Sequence, residues 1–161
     1  MSITDKLPTI ESVTTPECGH LIVIWSDGVA DELDVSAWLD DTAFAFLRDP
    51  EEFARVRVGD WGHSLEWPSG VEIGADSLWL ETLTTRRRGD VRRFLEWRLK
   101  HGLSLTKAAE ALGLARRTVA YYSSGEHAVP RHILLACVGW EADLRVRRAK
   151  AKTPALVDWT I

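Results

Sequence analysis

Cysteine is scarce in this sequence: Cys18 and Cys137 are the two present, and they form no CxxC pair. That argues against a disulfide scaffold or a cysteine-rich zinc site and fits a reducing compartment, so a cytoplasmic location is expected. No apolar run approaches the roughly 18–20 residues that a bilayer-spanning helix needs, so no membrane partner is expected. The opening "MSITDKLPTIES" lacks the basic-then-apolar pattern of a secretory signal. The histidines fall in neither HxxxH nor CxxC-like ligand spacing, and neither a metal nor another cofactor is expected. No nucleophile–base set is visible either, so the chain is expected not to be an enzyme.

Positive charge is scarce in the first half only. Residues 1–85 carry 4 Lys and Arg against 17 Asp and Glu, a net of −13, whereas residues 86–161 carry 16 against 7, a net of +9. The overall −4 hides this segregation. A strongly basic half suggests a polyanionic partner. The sign changes at "TTRRRGDVRR", residues 84–93, a polar segment that reads as a linker and a candidate phosphate-binding arm. Two domains are expected: an acidic one over 1–85 and a basic one over 86–161. The 161 residues, 45% apolar with eight tryptophans, suffice for two small cores.

The acidic half predicts an α+β domain of mixed strands and helices. "PTIESVTTPE" and "HLIVIWS" are β-rich. "VADELDV" alternates apolar and acidic residues, which predicts a strand with a solvated acidic face. Asp27-Gly28 predicts a two-residue hairpin between the last two. "VSAWLDD", "FAFLRDPEEFARV" and "ADSLWLETL" read as helices, with Pro50 starting a new one. "VRVGDWGHSLEWPSGVEI" reads as a strand pair turning near Gly59 to Gly62, and "WPSGVEIG" as a tight turn.

The basic half predicts an all-α domain of four short helices. In "DVRRFLEWRLKHG", Val91, Phe94, Leu95 and Leu99 share one face, with Asp90 and Gly102 as caps. "SLTKAAEALG" opens on Ser104 as N-cap and closes on Gly113. "ARRTVAYYSSG" stops at Gly125. "PRHILLACVGWEADLRVRR" begins at Pro130 and buries Ile133, Leu134, Cys137 and Trp140. The following "RVRRAKAK" reads as a basic tail or a solvated face.

The pair "SLTKAAEALG-LARRTVAYYSSG" has helix-turn-helix spacing. Ala109 is small where the second helix approaches, Gly113 breaks the first helix, and Leu114 plugs the turn. Val119 and Tyr122 then face the core, which turns Arg116, Arg117, Ala120 and Tyr121 outward. A short helix displayed in this way suits the DNA major groove.

With these residues in place, 91–144 resembles the Cro/Xre-type helix-turn-helix regulators of bacteria and phages, through "LTKAAEALGLARRTVAYYSSGEHAVP". The resemblance implies a helix over 115–124 whose Arg116, Arg117, Thr118 and Tyr121 contact DNA. It implies phosphate contacts from Ser104, Thr106 and Lys107, and from His127 and Arg131 beyond the helix. Two departures stand out: Ala115 replaces the Ser or Thr usual at the helix start, and Ser123 replaces the usual acidic residue.

"LIVIWSDGVADELDVSAWL", "FAFLRDPEEFARVRV" and "LEWPSGVEIGADSLW" resemble a small bacterial domain of unknown function, number 2442, over roughly 8–82. That family implies no activity. Its frequent pairing with small partner proteins in toxin–antitoxin-like arrangements implies a protein-binding alternative.

The expected function is that of a sequence-specific transcriptional regulator, a repressor that binds a palindromic operator in double-stranded DNA as a homodimer. The alternative is an antitoxin-like interaction module. Its N-terminal half would cap a toxin or other protein partner, and its C-terminal half would repress its own promoter.

Overall fold

Alternating apolar residues at the start of the chain pair as strands. The structure, a computed structural model, describes residues 7–152; expectations that fall on 1–6 and 153–161 lie outside the described residues. Strands β1 (Ile10–Thr14), β2 (His20–Trp25) and β3 (Ala30–Asp34) form an antiparallel sheet in that order. Leu21, Val23 and Trp25 alternate inward on β2 and are fully buried. A second antiparallel sheet joins β4 (Arg57–Val58), β5 (Ser64–Glu66) and β6 (Glu72–Gly74). The expected strand pair near Gly59 is thus three short strands.

The hairpin at Asp27-Gly28 has a longer loop than the dipeptide predicts. Trp25 C=O accepts from Gly28 N–H (2.8 Å), Trp25 N–H donates to Val29 C=O (3.1 Å), and only Gly28 has a positive φ, 81°. That is a type I turn followed by a left-handed residue, which glycine adopts without strain. Asp27 accepts from Val29 N–H (2.9 Å), which favours this turn over the two-residue form. The Trp67–Val71 turn makes the same two bonds, consistent with the tight turn read from "WPSGVEIG".

Residues 36–48 read as amphipathic helix but form 3-10 turns, Ser36–Asp40 and Thr42–Arg48. Asp41 is extended between them and caps the second through Ala43 N–H. The Arg48 side chain donates to the carbonyls of Leu39 and Asp40 and so supplies bonds that a longer α-helix would make itself. Helix α1 (Pro50–Phe53) starts at Pro50 as expected, capped by Asp49.

The rest of the described chain is helical: α2 (Ala75–Thr85), α3 (Gly89–Lys100), α4 (Leu105–Leu112), α5 (Arg116–Ser124) and α6 (Arg131–Lys152). Helix α6 is not short, as expected, but 22 residues long, and "RVRRAKAK" is its exposed last two turns. Asp90 is not a cap. It lies in the first turn of α3 and accepts from Val129 N–H (2.8 Å), which ties that turn to the segment before α6. Val91, Phe94 and Leu95 are buried as expected, together with Trp97 and Arg98.

Residues 84–93 are not an extended linker. Helix α2 runs through Thr85, a three-residue turn follows, and α3 begins at Gly89. One hydrophobic core runs from Ile10 on β1 to Cys137 on α6. Trp79 on α2 meets Trp25 edge-on at 5.1 Å within that core. Nor is "VADELDV" acidic on one face only. Glu32 and Asp34 are exposed, but Asp31 points inward beside Leu33, where Arg86 neutralises it.

Candidate nucleic-acid interface

Two left-handed glycines set the angle and length of α5. Helix α4 is capped at its start by Ser104, whose side chain accepts from Lys107 N–H (3.1 Å). It ends on Gly113, at φ 68° and ψ 34°, and the Leu114 N–H returns to the Ala109 carbonyl (2.9 Å). Leu114 packs against the core, and Ala108 and Ala109 are buried where α4 meets α5. Helix α5 then runs to Gly125, also left-handed at φ 81°. Val119 is fully buried, and Tyr122 packs edge-on to Phe94 at 5.4 Å. Both face inward, as the spacing predicts.

The opposite side of α5 borders an open concavity of about 470 Å³, lined by Arg116, Arg117, Ala120, Tyr121, Ser124 and Glu126. Arg117 is exposed. Its Nε donates to Tyr121 Oη (2.6 Å), and its guanidinium lies over the Tyr121 ring at 5.3 Å. The His127 ring lies 4.4 Å from the same tyrosine. Arg116 is half-buried with its Nε beneath the surface, so only Arg117 stands fully outward as expected. Thr118 is half-buried on the same turn.

The other expected contacts lie outside this lining. Ser104, Thr106 and Lys107 form the start of α4, with Lys107 exposed and 3.4 Å from Glu110. Arg131 is exposed on the first turn of α6. Ala115 makes no side-chain cap bond, as its methyl group requires, yet α5 is regular from Arg116.

Sequence reasoning missed what holds the far end of α5. Trp79 Nε1 donates to the Ser123 carbonyl (3.3 Å), Arg88 Nη1 to the Gly125 carbonyl (2.9 Å), and buried Arg98 to Ser123 Oγ (2.6 Å). Two of these donors are cations at the negative end of the helix dipole. The partners are 25 to 44 residues apart in sequence, and no local pattern announces them. It also missed Glu126, an acidic group on the rim of a basic concavity.

The expected phosphate arm is largely consumed inside the fold. Arg86 pairs with Asp31 (2.7 Å) and Asp27 (2.8 Å), and Arg92 with Glu96 (2.8 Å) and Glu81 (3.4 Å). Those partners raise both guanidinium pKa values, Arg86 chiefly through its hydrogen bond to Asp31 and Arg92 through its bond to Glu96. Elsewhere, Cys18 and His20 are close in sequence but diverge. The thiol lies against the Leu47 carbonyl and the imidazole near Glu17 and Glu32.

An acidic sheet unit joined to this helical array defines the class. Residues 10–82 match the family described as "Protein of unknown function (DUF2442)", and the chain carries that domain. The solved crystal structure of the "Putative DNA Binding Protein NE0471" from Nitrosomonas europaea ATCC 19718 is 37% identical, with a TM-score of 0.63. The match covers 84% of this chain and 88% of that one, and this chain belongs to the same family. No curated protein matches the chain. Among the described residues, no helix is long and apolar enough to cross a membrane.

Proposed function

We propose that this protein is a sequence-specific DNA-binding regulator, a repressor that acts as a homodimer on a palindromic operator in double-stranded DNA. In this reading α4 and α5 are a Cro/Xre-type helix-turn-helix, and α5 enters the major groove. The observation that carries it is the α4–Gly113–α5 arrangement, with Arg117 held upright against Tyr121 at the mouth of a concavity. The name of the Nitrosomonas europaea protein supports the same reading. Tyr121 occupies Arg117 Nε and leaves the two terminal nitrogens for the O6 and N7 of a guanine. Arg116 and Thr118 flank that contact, and the uncapped N–H groups of the first turn suit a phosphate. Ser104, Thr106, Lys107, His127 and Arg131 contact the backbone. The protein is not an enzyme in this reading and needs no cofactor.

The test is binding to the DNA upstream of the protein's own gene, against a scrambled duplex. Arg117→Ala is expected to lose about 5- to 150-fold per half-site, with preference for the true sequence lost. Lys107→Ala, which removes one contact from each protomer, should weaken both duplexes alike and reduce the salt slope by about 2. With about 8 phosphate contacts in the dimer, the wild-type slope of log K on log salt is about −7. Glu126→Gln should tighten both. Unchanged affinity and preference in Arg117→Ala would overturn the assignment.

A second reading, in which the N-terminal domain also binds a basic protein partner in an antitoxin-like arrangement, is favoured by one observation. Trp61 and Phe46 on the acidic half are 88% and 69% exposed. Co-expression with the product of the adjacent gene tests it, and a Trp61→Ala chain that still retains that product would count against it.

A further inference from the structure

Helix α6 is apolar on two opposite faces, and the fold uses one. Ile133 and Cys137 are buried, and Trp140 packs beside them. At about 100° per residue, Leu135, Val138, Ala142, Val146 and Ala149 fall within about 80° of one another, on the side away from the core. Leu135, Val138 and Val146 are 57%, 55% and 51% exposed, and Ala142 and Ala149 are exposed as well. From Arg145 onward every described residue of the helix is exposed. Two helical turns standing off a domain are marginal without packing, and a helix apolar on both sides is built to be covered on both.

We propose that the outer face of α6 is the dimer interface, covered by the α6 of a second copy running antiparallel about a two-fold axis at Ala142. The stripe is mirror-spaced about that residue. Val138 and Val146 stand four positions to either side, and Leu135 and Ala149 stand seven. A two-fold pair therefore sets valine against valine and the large Leu135 against the small Ala149. Ala142 at the crossing lets the axes approach to the 8–10 Å that packed helices reach.

Charge selects the direction. Arg145, Arg147, Arg148, Lys150 and Lys152 crowd the C-terminal end. Parallel pairing would bring both sets together. Antiparallel pairing separates their centres by about 19 Å along the axis, more than the Debye length of about 8 Å. Val138 borders a groove of about 490 Å³ between α3 and α6 whose charged rim is mixed, Arg93 and Lys100 beside Glu96 and Glu141. Val146 of the second copy meets that mouth. The interface rests on the homodimer of the proposed function but not on its DNA binding, because it is measured with no DNA present.

Sedimentation equilibrium of the full chain at micromolar concentration is expected to give twice the 18.1 kDa chain mass. Val138→Glu combined with Val146→Glu should weaken the dimer by about 100-fold or more while removing no more helical circular dichroism than the two turns beyond Arg145 supply. Ala142→Cys should form a disulfide-linked dimer under mild oxidation that neither the wild type nor Leu135→Cys forms. A monomeric wild type overturns the proposal, including one whose melting temperature falls with Leu135→Glu, the result expected if residues 153–161 cover the stripe. So does an undiminished dimer in the double glutamate variant. Cross-linking by Leu135→Cys overturns the antiparallel direction.

Discussion

Arg87 holds a backbone conformation that its side chain disfavours. Its φ is 58°, in the left-handed region, one residue past the C-cap of α2. Its N–H donates to the Thr84 carbonyl (3.0 Å), and the next N–H, of Arg88, returns to the Leu83 carbonyl (2.7 Å). Glycine usually takes this place, because an L side chain there costs about 1–2 kcal/mol. Arg87→Gly should therefore raise unfolding stability by about 0.5–1 kcal/mol, part of the relief being offset by chain entropy. Urea denaturation reads it, and a loss of stability would show that the exposed guanidinium makes a contact worth more than the strain. The run of three arginines looks like one basic feature in the sequence, yet the three side chains act differently. Arg86 pairs with carboxylates, Arg87 makes the turn, and Arg88 caps α5. Residue type was legible, but what Arg86 and Arg88 do depends on partners far away in the chain.

Between elements, Arg86 fastens α2 to the β2–β3 hairpin. Its Nε and Nη2 donate to the Asp31 carboxylate and its Nη1 to Asp27, while the guanidinium lies 5.1 Å from the Trp79 ring centre. Trp79 in turn bonds the Ser123 carbonyl, so the sheet is connected to the end of α5 through one short chain of contacts. The Asp31 side chain is 7% exposed and that of Arg86 is 23% exposed. Removing one partner of a fully buried pair costs about 3–5 kcal/mol. This half-open pair should lose about 2 kcal/mol in Asp31→Asn, measured by urea denaturation. Equal stability of mutant and wild type would mean that water already replaces the pair. The alternation in "VADELDV" announced the strand but not which acidic residue turned inward, since a period of two does not say which face meets the core.

Across the whole molecule, the continuous core from Ile10 to Cys137 predicts one cooperative unfolding transition. Calorimetric and van't Hoff enthalpies should agree, and two resolved transitions would show that the acidic and basic halves unfold independently. Acid should weaken this single unit. Burial opposes ionisation of Asp27 and Asp90, but Arg86 and the Val29 N–H hold the first below the usual carboxylate range, and the Val129 and Val91 N–H groups, with Arg88, the second. A carboxylate with a lowered folded pKa stabilises above its unfolded value and loses that contribution as pH falls through the folded one. The melting temperature should therefore fall below about pH 4. Asp27→Asn combined with Asp90→Asn should flatten that fall. An equally steep fall in the double variant would place the acid sensitivity in other groups.

The sequence by itself determined what periodicity and single residues encode. Strands β1 to β3, helices α2 to α5, the Gly113 turn, Ser104 as cap, and the inward Val119 and Tyr122 are all local consequences of side-chain spacing and backbone preference. Only the tertiary structure decided which charges remained for a partner. It drew Arg86 and Arg88 into intramolecular bonds, buried Arg98, and left Arg117 exposed. It also decided that α6 outruns its own core and exposes a second apolar face. The physical reason is the same throughout: periodicity reports that a side chain faces one way, whereas its partner is chosen by elements brought together across 25 to 59 residues of chain.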